Sequence, residues 1–299
     1  MTHAPILIEP ESFPMLVDRL TIDTDEWRAH FDGETVVGAD RRDLESQLGR
    51  KLYERWHVRW PAGRNSLSRI DRDPETEQII EAALGKHSIT MPIQWSTERN
   101  NEPTASLMGV RITSPKVCEG VENIRMPDVW PAISPGFVMV FGARRPIGNE
   151  HGQAFRLYLG GDDLASTIPC FVRIVHTLRA SDVGWQAKIA SSNVVYPRSD
   201  AITIYLDARD ADVVHELVRS LPVDRSPQVP TSMFVRKLGP GIGWAQEPND
   251  SSRRGLSYGQ HRSSIVARAA LNSALSGSSR IDELLADARI DPFNPWRNS

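Results

Sequence analysis

Lysine is rare in this chain of 299 residues, and one lysine lies where it could act as a base. The sequence has five lysines against thirty arginines, and Lys188 lies in the apolar run Trp185 to Ala190, which predicts a strand. Arginine stays protonated in proteins, whereas lysine can lose its proton when its surroundings favour the neutral amine. Lys188 is therefore a candidate for abstracting a proton. The alternative is an ordinary strand lysine whose ammonium group reaches solvent.

Cationic and phenolic side chains accompany Lys188 through the second half of the sequence. Guanidinium forks and tyrosine hydroxyls are the groups that a phosphate dianion requires, so their convergence would predict a phosphate site. The alternative for any single arginine is a place on the solvated surface. The set comprises Arg156, Tyr158, Lys188, Arg198, Tyr205, Arg236, Lys237, Arg253, Arg254, Tyr258, His261 and Arg262.

The elements that must position these residues follow from hydrophobic periodicity. In the first half, leucines and tryptophans at a spacing of four predict a helix over 43–60, a second helix is predicted over 75–84, and 137–141 predicts a strand. In the second half, strands are predicted over 154–159, 185–190 and 202–206, with helices from 162, from 210 and over 263–275. The segment 234–261 predicts an ordered loop with a tight turn at its glycines.

This order of elements predicts an α+β fold with an antiparallel or mixed sheet and flanking helices, preceded by a helical N-terminal region. The chain divides most naturally near 145, into an N-terminal helical or irregular region, 1–145, and an α+β domain, 146–299. The two parts could also form one compact unit. An N-terminal part of this kind would help bind a peptide or a partner protein, or have a purely structural role.

Composition excludes several classes of function. A net charge of −3 argues against a protein built for bulk binding of nucleic acid or membrane. Cys118 and Cys170 stand alone, HExxH is absent, and the glycines at 239–243 fit neither a P-loop nor a dinucleotide motif, so neither a metal nor another cofactor is expected. The N-terminus has no signal-peptide pattern, and no apolar run approaches the length of a membrane span, so cytoplasm is the expected location.

Five short stretches in a particular order resemble the Hop-A-type effector family, whose members occur among type III secretion effectors and in biosynthetic clusters for modified peptides. The resemblance covers 150–295 best, and the helix with Leu52-Tyr53 and Trp56 is similar to the family's N-terminal part. The stretches are Phe155 to Leu159, Ala187 to Ile189, Arg198 to Leu206, Gly239 to Pro248 and Ser257 to Arg262.

The chain also resembles a class V-like lanthipeptide lyase, and its layout is distantly similar to phosphothreonine lyases and to the lyase domains of class III and IV lanthipeptide synthetases. This similarity implies their fold and a metal-independent β-elimination of phosphate from phosphoserine or phosphothreonine, which leaves dehydroalanine or dehydrobutyrine. Lys188 matches their base, and Arg198 and Tyr205 match a phosphate-binding arginine before a strand that ends in tyrosine. The remaining expected site residues are Arg156, Arg236 and Arg262 for phosphate, and Tyr158, Glu247 and Tyr258 for substrate.

One position departs from the lyase pattern. Phosphothreonine lyases have a histidine directly after the phenylalanine of the first strand, where it protonates the leaving phosphate, but Phe155 is followed here by Arg156. Arginine is a poor proton donor at neutral pH, so His261 and Tyr205 are the candidate acids. Alternatively, several arginines stabilise the departing dianion without early protonation.

The resemblance implies that the partner is a phosphorylated precursor peptide made on the ribosome, together with a separate peptide kinase, because this chain has no kinase signature. The alternative function is a non-catalytic scaffold that binds a phosphopeptide, a partner of the kinase, or a secreted effector.

Overall fold

The computed structural model describes ten segments of the chain. The segments are 11–64, 72–97, 103–107, 110–112, 122–134, 136–144, 154–221, 228–250, 255–276 and 281–299.

The helices of these segments are α1 (Phe13–Asp18), α2 (Arg41–Leu52), α3 (Pro74–Leu84), α4 (Leu164–Ala180), α5 (Ala211–Ser220), α6 (Tyr258–Ser276) and α7 (Ile281–Asp287). The strands are β1 (Thr21–Asp23), β2 (Arg28–Phe31), β3 (Glu34–Val37), β4 (Ser88–Pro92), β5 (Gln94–Thr97), β6 (Pro103–Leu107), β7 (Val110–Ile112), β8 (Asn123–Pro127), β9 (Val129–Ser134), β10 (Phe137–Phe141), β11 (Ala154–Gly161), β12 (Trp185–Ala190), β13 (Arg198–Asp207), β14 (Arg236–Gly239) and β15 (Ile242–Gln246).

The fold centres on one antiparallel sheet of seven strands in the order β14-β15-β11-β13-β12-β10-β9. Three small antiparallel sheets, β1-β2-β3, β4-β8 and β5-β6-β7, come from the first half of the sequence. The predicted α+β class is therefore confirmed. The predicted boundary at 145/146 stays a prediction, although β9 and β10 precede it and pair into the same sheet as the later strands.

One face of the central sheet is apolar and packs against α4. Side chains alternate along a strand, so Leu157 and Leu159 of β11 and Ile204 of β13 point to this face. Phe171, together with other apolar residues of α4, packs against them. The helix begins at Asp163, whose carboxylate accepts a hydrogen bond from the Ser166 amide, as is typical of an N-cap.

The opposite face carries the polar side chains, and α2 and α6 cover it. The predicted stripe of leucines on α2 is buried against α6, and Gly49 allows the close approach, because a Cβ atom there would lie 3.5 Å from the Ser264 Cα. The predicted helix over 43–60 continues beyond α2 as a π-helical turn, Tyr53–His57. Trp60 lies past that turn, in a separate apolar cluster with Val195.

The predicted loop over 234–261 was wrong in part, because it contains the hairpin β14–β15. Its glycines supply a turn and a close contact: Gly241 has a φ of 62°, and a Cβ atom on Gly243 would lie 2.3 Å from a methyl group of Val235. Most strands of the first half were not predicted from the sequence. Those strands are three to six residues long, so the alternation of polar and apolar residues in strands such as β4 and β8 is too short to be distinctive.

Candidate functional site

The register of the central sheet brings Lys188 into a row with two hydroxyl groups. Lys188 pairs with Thr203 of β13, and Thr203 pairs with Tyr158 of β11. Residues paired directly across an antiparallel sheet point to the same face, so the three side chains lie side by side on the polar face. We call Tyr158, Thr203 and Lys188 the hydroxyl–lysine row.

Both hydroxyls of this row are buried donors. The Tyr158 and Thr203 hydroxyl oxygens have no hydrogen-bond partner among the residues that the structure describes. Burial raises the pKa of Tyr158 well above its ordinary value, because the phenolate would lose its solvation, so the hydroxyl keeps its proton at neutral pH. Since an unpaired buried hydroxyl costs free energy, the row is typical of a site that binds a polar ligand.

Lys188 is half-buried and lies beside an arginine. Its Nζ is 4.1 Å from the centre of the Phe137 ring, and Arg198 Cζ is 5.0 Å from the same centre. Within the described segments, Lys188 Nζ has no hydrogen bond or ion pair, although its charge acts on Asp200 and His57. The structure thus places this amine near the guanidinium group of Arg198.

Arg198 is tied to Asp200 in a buried two-pronged ion pair. Arg198 Nε and Nη2 donate to the two carboxylate oxygens over 2.8 and 3.0 Å. Burial by itself raises the Asp200 pKa, but the charge of Arg198 outweighs that effect, and the pKa falls to about 2. The carboxylate is therefore ionised at neutral pH. The remaining arginine nitrogen, Nη1, makes no bond to Asp200, and the Tyr53 hydroxyl interacts with the same guanidinium group.

His57 completes this side of the site, although the sequence did not predict it as a site residue. It ends the π-helical turn after α2, a kind of turn that is frequent at functional sites. Its Nδ1 is 2.9 Å from Ser232 Oγ, and its Nε2 is 3.7 Å from an Asp200 oxygen. Gly259 of α6 makes room for the ring, since a Cβ atom there would lie 2.2 Å from it. The one sequence feature that pointed towards His57 is the family resemblance of the neighbouring Tyr53 and Trp56.

Burial sets the charge state of His57. Burial lowers the His57 pKa to about 4, and Asp200 opposes this effect only in part. The ring is therefore neutral at pH 7. It packs edge-on against Tyr158, with 5.2 Å between ring centres, and so forms one wall beside the hydroxyl–lysine row.

This neutral histidine predicts acid sensitivity. Between pH 6.5, the ordinary histidine pKa, and about pH 4, the unfolded chain binds a proton that the folded chain does not. The contribution of His57 is therefore complete above pH 6.5 and is lost as the pH falls towards 4, by roughly 3 kcal/mol in total. We expect His57→Asn to flatten the free energy of unfolding, measured in urea, across this range. The same change at exposed His176 is the control, and an unaltered slope in the His57 variant would contradict the prediction.

Arg156 lies two residues from Tyr158 along β11, on the same face of the sheet, and pairs there with Tyr205. Its guanidinium contacts both Glu247 oxygens through Nε and Nη2, and its Cζ is 4.8 Å from the centre of the Tyr205 ring. Arg156 thus repeats the arrangement of Arg198, with one edge of the fork held by a carboxylate. The sequence predicted that Glu247 binds substrate; in the structure its carboxylate pairs with Arg156 and compensates the charge of that arginine.

Three predicted site residues, Tyr258, His261 and Arg262, lie in the first turns of α6. Their side chains bond mainly to other groups of the protein. Arg262 is fully buried and donates to the Pro295 carbonyl oxygen and to His261 Nδ1, each over 2.8 Å. His261 Nε2 faces Asp250 over 3.3 Å. Because Nδ1 accepts from Arg262, the His261 proton is on Nε2 and points at Asp250. The Tyr258 hydroxyl donates towards backbone carbonyl oxygens, and its ring is 6.1 Å from that of Tyr158.

Arg236 is not brought to the hydroxyl–lysine row. It lies on β14, four strand positions from β12, which is about 19 Å at the usual strand spacing. Its guanidinium stacks over Trp296 of the C-terminal tail, 5.3 Å from the ring centre. Arg253 and Arg254 lie outside the described residues. The structure therefore brings together Lys188, Tyr158, Arg198, Arg156 and Tyr205, and leaves Arg236 at the sheet edge.

The described residues contain neither a cluster of metal-binding side chains nor a helix that could span a membrane. No group of three or more His, Cys, Asp or Glu side chains in these segments is arranged to hold a metal ion. None of the described helices has the length and hydropathy that crossing a membrane requires.

A family model described as the HopA1 effector protein family matches residues 129–297. The match runs from β9 into the C-terminal tail and spans more than half of the chain. The protein therefore belongs to the HopA1 effector protein family. The matched region contains the hydroxyl–lysine row and both arginine–carboxylate pairs, whereas His57 and its helix precede it.

Solved structures of two effector proteins are similar to this chain. The effector protein from Pseudomonas syringae pv. tomato strain DC3000 is 15% identical, with a TM-score of 0.52 and coverage of 96% of each chain. That from Pseudomonas syringae pv. syringae strain 61 is also 15% identical, with a TM-score of 0.46 and coverage of 79% of this chain and 86% of the other. The first likeness shows a shared fold. No curated protein sequence matches this chain significantly.

Proposed function

We propose that this HopA1-family protein binds a phosphorylated serine or threonine of a peptide over the hydroxyl–lysine row and eliminates the phosphate, with Lys188 as the base. The observation that carries the proposal is the row itself: an amine without a hydrogen-bond partner among the described residues, in register with two buried hydroxyl donors. The distant similarity to phosphothreonine lyases supports the same assignment, since Lys188 matches their base.

The proposed reaction needs one proton transfer and one bond cleavage. The neutral amine of Lys188 takes the Cα proton, the electron pair of that C–H bond forms the Cα–Cβ double bond, and the Cβ–O bond breaks as phosphate leaves with its electrons. The product residue is dehydroalanine or dehydrobutyrine. Negative charge develops on the carbonyl oxygen next to Cα, where a fixed donor helps most, and the protonated hydroxyl of Tyr158 is the donor that the geometry offers.

The arginines would hold the phosphate through the parts of their guanidinium groups that carboxylates do not occupy. The carboxylates bind Nε and Nη2 of Arg198 and Arg156, so the phosphate would approach Nη1 of each, and each charge-assisted contact is worth roughly 1.5–3 kcal/mol. Asp200 and Glu247 compensate the arginine charges before the phosphate arrives. His261 is directed at Asp250, so Tyr205, beside Arg156, is the better placed of the two candidate acids.

A second function is favoured by the same ion pairs and by the family. Because both arginines are already paired, the face can hold a phosphorylated partner without acting on it, as a secreted effector or a scaffold would. Membership of an effector family supports this alternative directly. Lys188 argues against it, since arginine would serve pure phosphate binding equally well.

Mass spectrometry of a phosphothreonine peptide incubated with the purified protein tests the proposal. We expect loss of phosphoric acid and an unsaturated residue that an added thiol traps. Return of threonine would indicate hydrolysis and overturn the mechanism. Binding without any change in mass would favour the effector or scaffold function. The same proposal includes a cytoplasmic location, a ribosomally made precursor peptide and a separate peptide kinase. The role of the kinase is tested by adding a kinase reaction that phosphorylates the peptide.

A further inference from the structure

A large cavity lies between α2 and α6, on the outer side of the helices that cover the polar face. Its volume is about 1120 Å³, and its polar lining includes Asp40, Arg41, Arg42, Glu45, Arg50 and Arg268. The lining thus carries four arginines and two acidic residues, so the cavity has an excess of positive charge although the chain as a whole has a net charge of −3.

Two of the four arginines are available to a ligand. Arg268 pairs with Glu45 over 3.2 Å, and Arg41 donates to Asn272 over 2.9 Å. Arg42 and Arg50 are exposed, and neither has an ion pair or hydrogen bond within the described residues. Both extend from α2, Arg50 in its last turn. Unpaired guanidinium groups in a concave site favour carboxylates, which they bind through two parallel hydrogen bonds.

Tyr53 connects this cavity to the proposed catalytic face. It lines the cavity, and its ring stacks on that of His57, with 5.6 Å between the ring centres. Its hydroxyl interacts with the Arg198 guanidinium through a side-chain hydrogen bond. Tyr53 therefore borders both the cavity and the Arg198–Asp200 ion pair.

We propose that this cavity binds an acidic segment of the peptide whose phosphorylated residue enters the catalytic face. The proposal rests on the proposed function and names a second subsite for the same substrate. Arg42 and Tyr53 are eleven residues apart on one helical stretch, about 16 Å at the rise of an α-helix. An extended peptide covers that length with about five residues. The substrate class is therefore a phosphopeptide with Asp or Glu within about five positions of the phosphorylated residue.

Charge reversal at Arg50 tests the subsite. Two fluorescent phosphothreonine peptides are compared by anisotropy, one with glutamates at the third, fourth and fifth positions from the phosphothreonine and one with glutamines at the same positions. We expect the wild type to bind the acidic peptide more tightly than the glutamine peptide. Arg50→Glu should weaken binding of the acidic peptide about tenfold, with a larger effect at low salt than at high salt. The glutamine peptide should bind both proteins equally.

Arg219→Glu is the matched control, because Arg219 is also exposed in the last turn of a helix, α5, under the opposite face of the sheet. Arg42→Glu is the second variant, and circular dichroism checks that each variant is folded. Equal losses for both peptides, or an equal loss in Arg219→Glu, would overturn the subsite. If the wild type eliminates no phosphate but Arg50→Glu selectively loses affinity for the acidic peptide, the lyase function is overturned and the subsite is retained.

Discussion

Lys188→Arg should abolish elimination and retain phosphopeptide binding. Arginine keeps the positive charge beside Phe137 and Arg198 but does not give up its proton at neutral pH, so it cannot abstract the Cα proton. Removal of a general base typically lowers the rate by about 10²–10⁴-fold, and we expect a loss of that size in the rate of phosphate release. Binding of the phosphopeptide, followed by anisotropy, should change only a few-fold.

The matched control is Lys237→Arg, the same exchange on β14, four strand positions away. This variant should eliminate phosphate at the wild-type rate. Undiminished turnover in Lys188→Arg would show that the base is another residue. If the wild type binds the phosphopeptide without turnover and Lys188→Arg binds it equally well, the result would instead support a non-catalytic effector.

Asp200→Asn should destabilise the fold by about 3–5 kcal/mol, because it leaves the buried Arg198 guanidinium without a compensating charge. Urea denaturation at pH 7 measures the free energy of unfolding. The exposed counterpart is Asp182→Asn, since the Asp182 side chain is fully exposed and pairs with Arg144. That change should cost less than about 1 kcal/mol, as surface ion pairs do.

The double change Arg198→Met with Asp200→Leu separates the two causes of instability. It removes both charges from the interior, so we expect it to be more stable than Asp200→Asn alone. It should also lose phosphopeptide affinity, because Arg198 supplies one of the proposed phosphate contacts. Equal costs for Asp200→Asn and Asp182→Asn would contradict the description of a buried, mutually dependent pair.

Local patterns in the sequence were sufficient for most regular elements of the second half, with the exception of the hairpin β14–β15 and α7. The apolar run around Lys188 predicted β12 over 185–190, which is where the strand lies. The helix predicted from Asp162 begins at Leu164 with Asp163 as its N-cap, and Pro169 lies inside it without ending it. These predictions succeeded because period-two and period-3.6 patterns of apolar residues record which side of an element is buried.

The sequence predicted only part of the candidate site. Composition singled out Lys188, and resemblance to a family added Arg198 and Tyr205. The sequence did not reveal that Asp200 and Glu247 neutralise the two arginines, since each charge could equally have faced solvent. Nor did it reveal His57, whose position depends on a π-helical turn and on the small size of Gly259. Neither feature has a periodic signal.

The sequence by itself determined the α+β class, the order of the main elements and the amine that could act as a base. The tertiary structure decided which side chains stand next to that amine. Thr203 and Tyr158 reach Lys188 through the antiparallel register of three strands, which is set by packing of the sheet against α4. Because a shift of one residue would turn these hydroxyls to the opposite face, the site exists only in the register that buries the apolar side chains.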